Sequence, residues 1–216
     1  MTSSNEFFYE KVSTEALHPY SDAKSIYANY FKVKNKKDLD TLERSLSSIR
    51  QTELISEGVS SFPTTQLILN YLYSFDSYTD IHHKLFCDLY PWAGKIRAFD
   101  MAYEGNIFTC AEKLVFYGEK VFTEFKHKVK KGFPSQDAFV KESANFLNLI
   151  NTLHPFPDGN GRTQRIVMNL HFNYHGYSFN WSNIHQWEIY ETLKQSFEGN
   201  REPLERLLDK HLEKIS

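Results

Sequence analysis

The chain has 216 residues, 41% of them hydrophobic and 16% aromatic, including 18 Phe and 13 Tyr. That suits one compact domain, residues 1–216, with a sizeable, ring-rich core. A formal net charge of −2 gives no electrostatic basis for binding nucleic acid, and two cysteines are too few for a disulfide scaffold, so a reducing, cytoplasmic setting is expected. The polar start, Met1 to Glu6, lacks the pattern of a secretory leader, and no apolar run approaches membrane-spanning length, so no membrane association is expected.

Residues 1–20 read as an irregular arm. Ser21 or Asp22 can cap a short helix ending before Lys32, and Asn35 to Lys37 form a polar turn. A helix follows near Asp38 to Ser56, with Leu39, Leu42, Leu46 and Ile49 on one face and a stop at Gly58. Ser60, Ser61 and Pro63 mark a loop. Residues 65–90 are mostly helical, with a break near Ser74 to Ser77. Gly105 with Asn106 then separates two short mixed segments, Lys95 to Tyr103 and Ile107 to Cys110, which predicts a small hairpin over 95–110. Helix resumes from Ala111 to Lys131, with Leu114, Val115, Val121, Phe122, Phe125 and Val129 as mainly buried positions. Lys126, Lys128, Lys130 and Lys131 at its end read as a solvated helix terminus rather than a partner patch.

Gly132 and Pro134 break that helix, and Ser135 can cap the next. This one is apolar at helical spacing through Phe139, Phe146, Leu149, Ile150 and Leu153, and stops near His154 because Pro155 and Pro157 lack the amide a helix needs. Gly159 and Gly161 bracket Asn160, and Ile166, Val167 and Leu170 then restore a helical face ending near Gly176. Two further helices are predicted, one through Trp187, Tyr190 and Leu193 to Gly199, the other opened by Pro203 and carrying Leu204, Leu207 and Leu208. The fold class is all-α with one small β-hairpin.

The joint at residues 154–165 has a chemical reading. A glycine loop feeding a helix start aims unpaired N–H groups and a positive dipole end at one spot, which suits phosphate. Arg162 and Arg165, three apart, share a helix face and can both reach that anion, although a surface ion pair is the plain alternative for each. Asp158 fits only with a cation, Mg²⁺ being the usual one, between it and the phosphates. His154 can be a neutral base near physiological pH. Together these groups point to phosphoryl or nucleotidyl transfer. Phe156 reads as a core anchor. His171 and His175, at four-residue spacing, read as ordinary surface residues rather than a metal pair, and packing is the better reading of His82 and His83.

The stretch also resembles the signature of the Fic (filamentation induced by cAMP) family, His-x-Phe-x-(Asp/Glu)-Gly-Asn-Gly-Arg-x-x-Arg. His154, Phe156, Asp158, Gly159, Asn160, Gly161, Arg162 and Arg165 fill every specified position. The upstream block from Ile81 to Arg97 is similar as well, and the resemblance spans about residues 18 to 212. It implies a Fic fold and a protein adenylyltransferase, in which ATP and a target Ser, Thr or Tyr hydroxyl give AMP-protein and pyrophosphate. His154 would deprotonate that hydroxyl and Asp158 would bind Mg²⁺. Gly159, Asn160 and Gly161 would cradle the phosphates, with the Asn160 side chain as an added donor, and Arg162 and Arg165 would reach the β- and γ-phosphates. The hairpin would be the flap, with Phe99, Asp100, Met101, Ala102 and Tyr103 docking the target by main-chain pairing. Gly161 argues against kinase-like relatives, which carry Lys there. Transfer from another nucleotide and a catalytically silent binding module stay open.

Many Fic proteins carry an inhibitory helix, (Ser/Thr)-x-x-x-Glu-(Gly/Asn). Glu precedes Gly at Glu57, Glu104 and Glu198, but Glu53, Asp100 and Lys194 stand four residues earlier, and the sequence ends with the last predicted helix. The resemblance therefore favours the toxin-like subgroup silenced by a separate small antitoxin, whose Glu would meet Arg165, and Glu198 is a weaker internal candidate. Relatives of that subgroup modify bacterial type II topoisomerase subunits, which makes these the implied targets, in the cytoplasm of a bacterium or of a host.

Overall fold

The computed structural model describes residues 27–57, 65–103 and 106–215. The expected arm, the cap at Ser21 or Asp22, the Gly58–Pro63 loop and the Gly105 turn lie outside the described residues. Helix α1 spans Lys36–Glu57, α2 Thr65–Leu72 and α3 Phe75–Phe86. Asn35 accepts from the N–H groups of Lys37 and Asp38, so the expected polar turn is the cap of α1 itself. Ser74 caps α3 by accepting from Ser77 N–H at 3.1 Å, at the predicted break. Residues 27–35 hold a turn at Tyr30–Phe31, not the end of a helix.

A short hairpin follows, β1 Ala102–Tyr103 against β2 Asn106–Ile107, antiparallel. After a 3-10 turn at Ala111–Lys113 come α4 Leu114–Lys131, α5 Gln136–Leu153 and α6 Asn160–Tyr174. Ser135 accepts from Ala138 N–H at 3.2 Å, the cap the sequence offers. Ser135→Ala is expected to cost about 1 kcal/mol, read as a lowered urea midpoint at unchanged m-value.

Gly176, at φ +78°, turns the chain out of α6 into β3 Tyr177–Phe179. Helix α7 spans Gln186–Phe197, α8 Glu202–His211, and β4 Leu212–Lys214 pairs back on β3, antiparallel. This second ribbon departs from the expected single hairpin. Its strands are three residues long and 32 residues of chain separate them, so no local pattern announces the pairing.

The core lies where α3, α5 and α6 meet, with Ile81, Leu147, Ile150, Ile166 and Val167 nearly sealed from solvent. Rings fill the rest: Phe125 stacks on Phe146 at 3.9 Å and Phe122 meets Phe146 edge-on at 5.2 Å. Two stripes differ from expectation. Val115 on α4 and Ile49 on α1 are exposed, and the buried face of α1 is Leu39, Glu43 and Ser47. A carboxylate occupies an apolar register there because a cation on α6 receives it.

Candidate active site

The joint between α5 and α6 forms the floor of a cleft of about 610 Å³, walled by Met101, Tyr103 and Phe108 of the hairpin region and by Tyr190, Leu193 and Phe197 of α7. His154 ends α5 in the left-handed conformation, φ 42°, and Pro155 prevents the helix from continuing. Its imidazole lines the cleft and stacks on Phe108 at 4.0 Å. Burial first and the Arg97 guanidinium second pull its pKa down to about 3, against the Asn151 carbonyl, which favours the charged ring. The ring is therefore a free base at neutral pH. Its Nδ1 is buried with no well-formed hydrogen bond among the described residues.

Gly159, at φ +77°, caps α6, and a Cβ there would lie 2.4 Å from the Phe86 ring, so both conformation and space require glycine. Gly161 differs: a Cβ on it would meet only Arg165 Nη1, at 3.6 Å, and its surface faces the cleft. Asn160 departs from its expected role. Its side chain accepts from Phe156 N–H at 3.0 Å and donates to Phe156 C=O at 2.8 Å, and the residue is buried. That amide closes the loop on itself, leaving the backbone N–H as what Asn160 can offer an anion. Phe156 is fully buried, as anticipated, and stacks on the His82 ring at 3.8 Å.

The Asp158 carboxylate opens on the cleft, its side chain 46% exposed, while one oxygen takes Gly159 N–H at 2.5 Å. Its pKa is raised by the low-polarity loop and then by Glu43, opposed by the Gly159 N–H and Arg162. Among the described residues no three metal-ligating side chains cluster. One accessible carboxylate beside a phosphate-sized space does fit Mg²⁺, which keeps waters and takes its other ligands from phosphates.

The two arginines differ. Arg162 pairs with Glu43 of α1, donates to Ser47 Oγ at 3.2 Å, lies 3.7 Å from Asp158 and covers the Phe86 ring. Tyr90 also donates its hydroxyl to Glu43, so a buried network fixes Arg162 from below. The ion pair held open as its plain alternative is thus present, though half-buried rather than at the surface. Arg165 lines the cleft with no hydrogen-bond or ion-pair partner among the described residues, and burial lowers its pKa. Glu198 is exposed just beyond α7, and among the described residues the internal-inhibitor candidate makes no ion pair with Arg165.

Of the five hairpin residues expected to dock a target, Met101, Ala102 and Tyr103 line the cleft and Phe99 and Asp100 do not. The Asp100 carboxylate accepts from Ala111 N–H at 2.7 Å, and the Phe99 carbonyl accepts from Arg97, so both serve the base of the hairpin.

Several participants escaped sequence reading. His82 Nδ1 accepts from Gly94 N–H at 2.8 Å, which leaves Nε2–H to donate to the Asp158 carbonyl at 3.0 Å. It is a strut under the loop, whereas His83 is exposed and bonds the Ala93 carbonyl. His171, expected at the surface, is fully buried between the Tyr73 hydroxyl and Ser143 Oγ, at 2.7 and 2.9 Å. The only local signal was a polar residue breaking an apolar register, as at Glu43.

The histidines predict acid lability. His82 and His154 are pulled down to about 3, His175 to about 4, and His171 well below its ordinary value, all chiefly by burial. Above pH 6.5 neither folded nor unfolded chain protonates them. Below it the unfolded chain takes up protons first, so stability falls by about 1.4 kcal/mol per pH unit for each histidine until the folded pKa is reached. Melting curves between pH 7.5 and 4 should show a steep drop starting near 6.5; a flat profile down to pH 5 would contradict the buried neutral rings.

An imidazole, a helix N-terminus, a carboxylate and two arginines thus meet at one cleft on a helical scaffold. The model of the Fic/DOC family matches residues 71–172, which contain the whole loop, and over that span the chain is similar to the family. It is 25% identical over 195 residues to protein adenylyltransferase VbhT of Bartonella schoenbuchensis, covering 90% of this chain and 39% of that protein. Over 182 residues it is 27% identical to the probable protein adenylyltransferase y4lH of Sinorhizobium fredii, covering 83% of this chain and 87% of that one. The crystal structure of BepC, a VirB-translocated effector of Bartonella tribocorum with bound AMPPNP, shares the fold with a TM-score of 0.76 at 16% identity, covering 94% of this chain and 98% of that one. Among the described residues no helix is long and apolar enough to cross a membrane.

Proposed function

We propose that this chain is a protein adenylyltransferase that moves AMP from ATP to a Ser, Thr or Tyr hydroxyl of a target protein. His154 takes the hydroxyl proton, the oxygen bonds to the α-phosphorus, and the bond to the bridging oxygen breaks to release pyrophosphate. The observation that supports this reading is one cleft lined by the His154 imidazole, the start of α6 and Arg165, which has no hydrogen-bond or ion-pair partner among the described residues. The cleft volume suits a nucleotide, the names of VbhT and y4lH agree with the activity, and the AMPPNP bound to BepC agrees with the nucleotide. Asp158 would hold Mg²⁺, which supplies charge neutralisation at the phosphates. N–H groups at the start of α6 and Arg165 hold the polyphosphate, and Met101, Ala102 and Tyr103 present a strand edge to the target.

Arg165, with no carboxylate partner among the described residues, is the natural receptor for a glutamate on a separate small antitoxin, and topoisomerase subunits are the candidate targets. The test is incubation with Mg²⁺, a bacterial lysate and ATP labelled at the α- or the γ-phosphate. Label on a protein band from α-ATP alone is expected; label from γ-ATP alone would replace AMP transfer by phosphoryl transfer.

A further inference from the structure

Arg97 closes the upstream sequence block, and its side chain is 3% exposed behind the joint. Nε donates to the His154 carbonyl at 2.8 Å, Nη1 to Phe99 C=O at 2.6 Å, and Nη2 to Leu153 C=O at 3.3 Å and to the Thr109 carbonyl. Its backbone N–H donates to Pro155 C=O at 2.8 Å. These acceptors belong to the end of α5, the joint itself and both stems of the hairpin. Thr109 adds its N–H and hydroxyl to Thr152 C=O, at 3.0 and 3.2 Å, sealing the second stem to the same helix end.

A non-glycine residue in the left-handed region costs about 1–2 kcal/mol and persists only where its surroundings over-determine it. His154 is such a residue, and Arg97 grips its carbonyl and those on either side. The Phe108 ring that stacks on the imidazole belongs to the stem that Arg97 ties down. A single planar, permanently charged fork thus sets where the imidazole sits and where the hairpin sits.

We propose that Arg97 is a positioning residue, locking His154 and both hairpin stems into one unit so that base and target-docking strand keep a fixed relation. The proposal rests on the reading of His154 as the base. The ionisable groups around that ring are Asp158, Arg162 and Arg165 on the loop and α6, Tyr103 on the hairpin, Tyr190 and Lys194 on α7, Tyr27, and Arg97 itself. Burial is the larger cause of the lowered pKa of the imidazole, and the Arg97 charge adds to it in the same direction.

The test uses the full chain with Arg97→Lys and Arg97→Gln. Lysine keeps the charge but cannot fill the fork, so kcat should fall about 100-fold with KM for ATP within about threefold, because misplacement of the base rather than nucleotide binding is what changes. Glutamine should lose as much kcat and also raise the acid limb of the kcat/KM profile, though short of pH 6.5 because burial persists. Lysine, which keeps the charge, should leave the limb in place; a purely structural role would move both variants alike. Unchanged kcat in both variants, or an unmoved limb in the glutamine variant, overturns the proposal. NMR titration of the His154 ring protons without ATP reads the same point independently of turnover. If the wild type labels nothing, the transfer reading fails while this titration still decides Arg97. Should the glutamine variant not fold, a wild-type His154 titrating near pH 6.5, or an Arg97→Lys variant with wild-type kcat, overturns it.

Discussion

His154→Ala should lower the rate of AMP transfer by about 100- to 10,000-fold while leaving ATP affinity within about threefold, the range for removing a general base. The ring lines the cleft as a neutral imidazole, and among the described residues no other imidazole does. His82 and His171 are buried elsewhere with both ring nitrogens occupied. Alanine also leaves a gap beside Phe108 and sits poorly at φ 42°, so some lost rate could come from a loosened loop. His154→Asn separates the two effects, because asparagine tolerates the left-handed region without supplying a base. Initial rates with α-labelled ATP and calorimetric ATP binding measure both. Transfer by the asparagine variant at the wild-type rate would remove His154 from the reaction.

Gly159→Ala should be the most damaging glycine substitution, costing about 2–4 kcal/mol. Part of that is the left-handed backbone at φ +77° and part is overpacking, since the new Cβ would lie 2.4 Å from Phe86 and 3.1 Å from His82 Nε2. Neither neighbour yields easily: Phe86 is sealed under Arg162, and His82 is held by Gly94 N–H and the Asp158 carbonyl. Gly161→Ala is the control. Its Cβ makes only an ordinary contact, so stability should stay within about 0.5 kcal/mol while ATP affinity falls, because the added methyl points into the cleft. A melting temperature lower by roughly 5–15 °C for Gly159→Ala and nearly unchanged for Gly161→Ala is the expected pair of results. Equal melting temperatures would mean that the loop can relax around a side chain at residue 159.

What the sequence determined by itself was everything that local chemistry enforces. The polar turn at Asn35, the break at Ser74, the cap at Ser135, the prolines after His154 and the glycines at residues 159 and 176 mark helix ends through bonds that span only a few residues. For that reason the helix–loop–helix joint, its histidine and its arginines were legible before any coordinates. Tertiary structure decided how those residues are employed. Glu43 reaches Arg162 across 119 positions, His82 supports Asp158 across 76, and Arg97 grips His154 across 57. No periodicity encodes such partners, because a hydrogen bond between distant segments depends on where packing places two helices. The same packing spent the Asn160 amide inside the loop, buried His171 and set Arg165 free to face the cleft.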